Sequence, residues 1–192
     1  MKRLARFVLL TSIAATVAYF FKNSRFFTHT VKYSVRRKDG PFEIREYPAL
    51  KVAKTAMKGE ADTAFNRLFQ FIQGANSVNE KIAMTTPVLM EGLGRETMCF
   101  IMPESNESQQ ALRPTEDSVL IDKRPGGTFA AYRYTGPMSI ANEQSAFQKL
   151  GDWLRMNDCR AEGEPVAAYF DPPWMPDTLR RNEIMVRIKM PQ

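Results

Sequence analysis

The sequence predicts an α+β domain. Duplicated strand–helix–strand–strand halves form a curved antiparallel sheet, or distorted β-barrel, flanked by two helices. Two observations carry this expectation. Ala64-Phe-Asn-Arg-Leu-Phe-Gln-Phe71 and Ala146-Phe-Gln-Lys-Leu-Gly-Asp-Trp153 share the pattern Ala-Phe-x-x-Leu-x-x-aromatic. In each, the apolar positions recur at helical spacing and make a stripe that would lie on a sheet. Both segments also occupy the same context, with one strand-like run before and two after.

In chain order, Thr30–Arg36 and Phe42–Tyr47 read as a leading hairpin. Leu50–Met57 opens the first half, and its helix has Asp62 or Thr63 available as a cap. Ile82–Leu89 and Thr97–Met102 complete that half. Thr85 and Thr86 favour extended backbone, but Pro87 cannot donate to a ladder, which predicts an edge or a bulge there. Pro103–Glu116 has the composition of a loop. Phe129–Tyr134 opens the second half, Ser139 or Asn142 can cap its helix, and Val166–Phe170 and Glu183–Ile188 close it. Asp171–Thr178 is a Pro-rich loop, and Gly126-Gly127 is a turn. A crevice between the half-repeats is the default ligand site.

A chain of 192 residues with 44% hydrophobic content suits one domain plus an N-terminal extension, divided here into residues 1–25 and 26–192. The formal charge of +6 is misleading as a sign of nucleic-acid binding. Five of the 27 basic residues fall within residues 1–25, leaving 22 against 21 acidic residues in the rest. No cationic face is implied, and no nucleic acid is expected as a partner.

Residues 1–25 read as a membrane signal. Lys2, Arg3 and Arg6 precede the largely apolar run Phe7–Phe21, followed by Lys22 and Arg25. As a helix that run spans roughly 22 Å, short of a hydrocarbon core of about 30 Å. Thr16-Val-Ala18 is a passable cleavage site, so a cleaved signal competes with an anchor. Aromatic Tyr19, Phe20 and Phe21 before Lys22 resemble an interface anchor instead. The expectation is a membrane contact through residues 7–21 with the domain outside the cytoplasm. A soluble exported form and an organellar one are the alternatives.

Positioned chemistry is sparse. His29 is the only histidine, there is no GxSxG elbow, and no Gly-rich phosphate loop is present. An enzyme is therefore the less favoured class. Cys99 and Cys159 form no CxxC or CxxCH, which argues against structural zinc and covalent c-type haem. They read as unpaired buried thiols, with a disulfide open to an exported domain. Met84 and Met90, and Met98 and Met102, are evenly spaced within two runs, so each pair shares a face. They suit either an adaptable core or a flat apolar pocket.

Five short segments carry a family resemblance: Phe42-Glu-Ile-Arg-Glu-Tyr-Pro48, Lys81-Ile-Ala-Met-Thr-Thr-Pro-Val88, Lys123-Arg-Pro125, Asp171-Pro-Pro173 and Arg180-Arg-Asn-Glu183. In this order they resemble the SOUL haem-binding proteins over roughly Thr30 to Lys189. The resemblance implies non-covalent binding of haem or another tetrapyrrole in an apolar crevice, as a carrier or buffer. One branch of that family has a histidine where Glu46 stands here, so that iron ligand is missing, and Tyr47 is a weak substitute. Another branch has a helix arginine matching Arg67 and a loop lysine replaced here by Met175. Arg67, Arg180 and Arg181 are then the candidate propionate partners, and Phe71, Met84, Met90 and Met175 the candidate ring contacts.

Glu183 supports a rival reading. Distantly related effector-binding domains of similar architecture use a buried carboxylate for cationic apolar ligands, and some relatives are hydrolases. A small-molecule hydrolase or effector-binding domain centred on Glu183 is the alternative function. An envelope interaction protein with a vestigial crevice is a third.

Overall fold

The computed structural model describes residues 29–57, 61–92, 94–103 and 112–190. The membrane signal expected in residues 1–25 lies outside them. Among the described residues, no helix is long and apolar enough to cross a membrane.

The first half consists of β4 (Leu50–Ala56), α1 (Ala61–Ile72), β6 (Val88–Glu91) and β7 (Thr97–Ile101). The second consists of β9 (Gly127–Tyr134), α2 (Ile140–Met156), β10 (Arg160–Tyr169) and β11 (Asn182–Lys189). Leading strands β2 (Ser34–Asp39) and β3 (Phe42–Tyr47) join β9, while β8 (Val119–Arg124) joins β4. The resulting nine-stranded order is β2-β3-β9-β11-β10-β6-β7-β4-β8, antiparallel throughout. Its middle reads the same from both ends once the halves are exchanged. The β10·β6 pair therefore marks the pseudo-twofold axis.

The sheet curves but does not close, which corrects the distorted-barrel alternative. Its edges explain why: all six residues of β2 are exposed, and four of them are charged. A charged, solvated edge resists pairing with another strand. β8 was not expected from the sequence, because Val-Leu-Ile-Asp-Lys-Arg lies at the end of a long loop-like stretch. Its pairing with β4 stabilises it.

Pro87 behaves as its chemistry demands. It interrupts the predicted strand, leaving only Thr85–Thr86 (β5) before β6. β5 leaves the main sheet and pairs in parallel with β1 (His29–Thr30).

Both helices cover one face of the sheet. Ala64, Leu68 and Phe71 of α1 are buried, as are the equivalent Ala146, Leu150 and Trp153 of α2. The shared stripe therefore produced the same packing twice. Ser139 caps α2, its hydroxyl accepting from the Asn142 N–H at 3.2 Å. A larger residue at Gly126 would clash, since its Cβ would stand 2.6 Å from the Tyr47 carbonyl oxygen.

Two cores result. The larger lies under the helices and includes Ile44, Leu68, Phe71, Met90, Met98, Phe100, Leu150 and Val186. The smaller lies within the sheet's other face, around Val52, Leu89, Cys99, Ile101, Val166 and Met185. Central strands are buried on both sides, which accounts for the unbroken apolar run Val166–Tyr169.

Candidate functional site

The strip between the two helices is the crevice that the duplication implies. Val88 and Met90 of β6 floor it beside Tyr169 and Ala167 of β10, in the registers Val88↔Tyr169 and Met90↔Ala167. Phe65 and Phe147, the second residues of the repeated helix motif, are each half-buried against the core here. Phe65 packs edge-on to Phe100, which is registered opposite Val88. Phe147 lies with Ala167 along a small recess. Met84, Tyr134 and Met138 are also only partly covered. Half-exposed apolar residues from equivalent positions thus border the central strands.

A polar cluster that sequence reasoning missed lies at this face. Glu143 of α2 accepts from Arg95 at 2.7 Å and from the Tyr169 hydroxyl, and it is 7% exposed. Arg95 stands in the β6–β7 turn with φ of 59°, and also donates to the Tyr169 oxygen at 3.2 Å. Burial and the Glu143 hydrogen bond raise the Tyr169 phenol far above its ordinary value. Neighbouring Tyr134 has a buried hydroxyl without a hydrogen-bond partner, and burial pushes it up to about 12. Both phenols therefore stay protonated at neutral pH. A glutamate within a helical pattern carries no sequence signal of burial, so this cluster could not have been read from spacing.

The opposite face holds Glu183. Its carboxylate accepts two bonds from Arg45, at 2.5 and 2.9 Å, and one from Arg133 at 3.1 Å. Arg45 is 1% exposed, also donates to Glu43 at 2.8 Å, and has the Tyr33 ring 4.4 Å from its guanidinium carbon. Tyr47 accepts from Arg45 at 3.2 Å and donates to the Met185 sulfur at 3.6 Å, and burial pushes its phenol up to about 12. Both oxygens of Glu183 are thus occupied by guanidinium donors. A cationic ligand would have to displace Arg45 from a buried site.

A cavity of about 560 Å³ opens elsewhere on this face, and most of its lining is charged. Lys54 pairs with Asp122 and Arg124 with Glu91. Arg187 lies 4.9 Å over the Phe129 ring and donates to the Pro125 and Gly126 carbonyls at 2.8 and 2.9 Å. Its size suits a small ligand, yet its walls suit polar groups better than a flat hydrocarbon ring.

The eight residues expected from the sequence fall into separate groups and do not line one site. Phe71 and Met90 are buried under the helices, with Met84 partly covered beside them. All four paired methionines belong to this core, and Met90 is registered opposite Met98. Arg67 donates to the Ala56 carbonyl at 2.6 Å, while its buried Nε has no partner. Met175 is 2% exposed within the Asp171–Thr178 loop. Arg180 is buried too, donating to the Pro173 and Met175 carbonyls at 2.7 Å. Arg181 is engaged by Asp171 at 3.0 Å, and Glu183 lies on the far face. Cys99 and Cys159 are free and buried, in different parts of the fold.

A sequence model of the SOUL heme-binding protein family matches residues 28–187. No curated protein sequence matches the chain. The crystal structure of the EcmrR C-terminal domain aligns over 83% of this chain and 99% of its own, at 15% identity and a TM-score of 0.57. EcmrR in a DNA complex aligns over 99% of this chain and 68% of its own, at 14% identity and a TM-score of 0.58. A hydrolase from Listeria innocua aligns over 88% and 97%, at 9% identity and a TM-score of 0.54. These similarities show a shared fold, since so few residues are held in common. The family match, in contrast, runs from β1 into β11 and includes both helices, and the chain belongs to the SOUL heme-binding protein family.

Proposed function

We propose that the chain is a membrane-tethered carrier or buffer that binds haem, or a related tetrapyrrole, non-covalently. The family match carries this reading. The ring would lie between α1 and α2, against Phe65, Met84, Val88 and Phe147, where apolar area remains uncovered. Burying such area contributes about 25 cal/mol per Å².

The residues fit the ring better than the iron. Arg67 stands on α1 with a buried Nε lacking any partner, a donor that a propionate would satisfy. Arg180 has an unpartnered buried Nε as well, but it is fastened to the Pro173 and Met175 carbonyls and to Asp177, and Arg181 to Asp171, so both support the loop. Arg67, fastened at the Ala56 carbonyl alone among the bonds described, is the favoured partner. Tyr169, which floors this strip, and Tyr134 beside it are both protonated at neutral pH and so are poorly suited to ligate iron. Iron, when present, supplies redox and axial-ligand chemistry; the chain's residues would read the ring and its carboxylates.

Difference absorbance tests the proposal. Protein lacking residues 1–25 is titrated with haemin and, in parallel, with iron-free protoporphyrin. Saturable Soret changes with both, at similar affinity, are expected. No saturation beyond that of an unrelated protein would overturn it. Saturation by haemin alone would show that iron coordination, absent from this reading, drives binding.

A further inference from the structure

The loop between β10 and β11 sorts its apolar residues by direction. Met175 points inward and is 2% exposed, while Trp174 is 66% and Leu179 57% exposed. Pro172, Pro173 and Pro176 restrict its backbone. Arg180, 6% exposed, fastens it through the Pro173 and Met175 carbonyls at 2.7 Å and through Asp177 at 2.8 Å. An indole held outward on a restrained loop is an unusual exposure for a large aromatic residue.

Topology places this loop at an informative end of the sheet. It joins Tyr169 to Asn182, and Val88 at the start of β6 is registered with Tyr169. β5 leads directly into β6, and β1 runs parallel to β5 with His29 opposite Thr85. β1 therefore begins, at His29, at the same end of the sheet as the Trp174 loop. The segment preceding His29 contains the apolar run Phe7–Phe21, followed by Lys22 and Arg25. A short link to a bilayer would hold this end of the domain toward it. Tryptophan favours the level of the lipid headgroups, where its ring is buried and its N–H stays hydrated.

We propose that Trp174 and Leu179 form a second membrane contact, inserting at the lipid interface beside the N-terminal tether. The proposal rests on the tethered reading above. Contact at two points would fix the domain's orientation, with the Pro-rich loop facing the membrane.

The two tryptophans make the test direct, because Trp153 is 4% exposed and donates to Asp39 at 2.8 Å. The full chain is reconstituted into phosphatidylcholine vesicles with and without brominated acyl chains. We expect brominated lipid to quench the part of the emission that Trp174 contributes. The Trp174→Phe variant, which keeps only Trp153, should show no such loss, and Leu179→Asp should reduce it. Trp153 emission confirms that each variant is folded. If the chain fails to float with vesicles, the tether and this contact both fall. If it floats but Trp174 remains open to aqueous iodide and insensitive to brominated lipid, the loop contact alone is overturned. Iodide shielding only at high protein concentration would assign the loop to contact between copies, and overturn it equally.

Discussion

The guanidinium of Arg45 meets the carboxylate of Glu183 through two hydrogen bonds, at 2.5 and 2.9 Å, although 138 residues separate them. Both side chains are almost wholly buried, at 1% and 2% exposed. Arg45 comes from the leading hairpin and Glu183 from the last strand, so the pair ties the front of the chain to its end. It also converts the most promising buried carboxylate in the sequence into a structural group.

Removing one partner should be more harmful than removing both. Arg45→Met leaves Glu43 and Glu183 without their shared cation and should cost about 3–5 kcal/mol, as for other broken buried pairs. Arg45→Met combined with Glu183→Leu should recover a substantial part of that loss. Urea unfolding of both variants measures it, and equal losses would show that the stranded Glu183 carboxylate is not what makes the single change costly.

Acid should weaken the same region. Burial raises the pKa of Glu43, but its hydrogen bond and charge interaction with Arg45 outweigh that, holding it below the ordinary 4.5. A carboxylate depressed in the folded state stabilises the fold above its unfolded pKa, and that contribution fades as pH falls through the folded value. Stability should therefore decline below about pH 4.5. In Glu43→Gln the decline should be shallower, and thermal melts between pH 3 and 6 would reveal it.

Neither thiol should react readily in the folded protein. Burial pushes Cys99 up to about 12 and also raises Cys159. At pH 8 only about one Cys99 in ten thousand would be thiolate. A thiol reagent should label both residues quickly in denaturant and slowly without it. Rapid native labelling of Cys99 would contradict its burial.

Tetrapyrrole affinity should depend on the helix face of the sheet. Arg67→Ala should weaken protoporphyrin binding roughly tenfold, the loss expected for one charge-assisted hydrogen bond. Lys123→Ala, which alters the charged cavity on the other face, should leave it unchanged. The reverse result in the absorbance titration would move the ring to that cavity.

Most of the architecture was legible because its signals are periodic. The repeated Ala-Phe-x-x-Leu-x-x-aromatic stripe named both helices and their buried faces, down to Leu68 and Leu150. Pro87 marked its own interruption, since a residue without an N–H cannot continue a ladder. Less regular pieces escaped. β8 depends on the neighbouring strand β4, and closure of the sheet depends on how its two edges meet.

The candidate site divided along the same line. Residue chemistry by itself determined that no positioned catalytic histidine stands within the folded halves, that basic charge gathers near the N-terminus, and which apolar stripes repeat. It could not determine which carboxylates and guanidinium groups would spend their bonding capacity on each other. Arg45 with Glu183, Arg95 with Glu143 and Arg181 with Asp171 became partners only when the chain folded. Periodicity is a local property written along one strand or helix, whereas pairing of buried charge depends on which distant strands become neighbours. The sequence thus sufficed for the fold and its family, and the tertiary structure decided which residues remain available to a ligand.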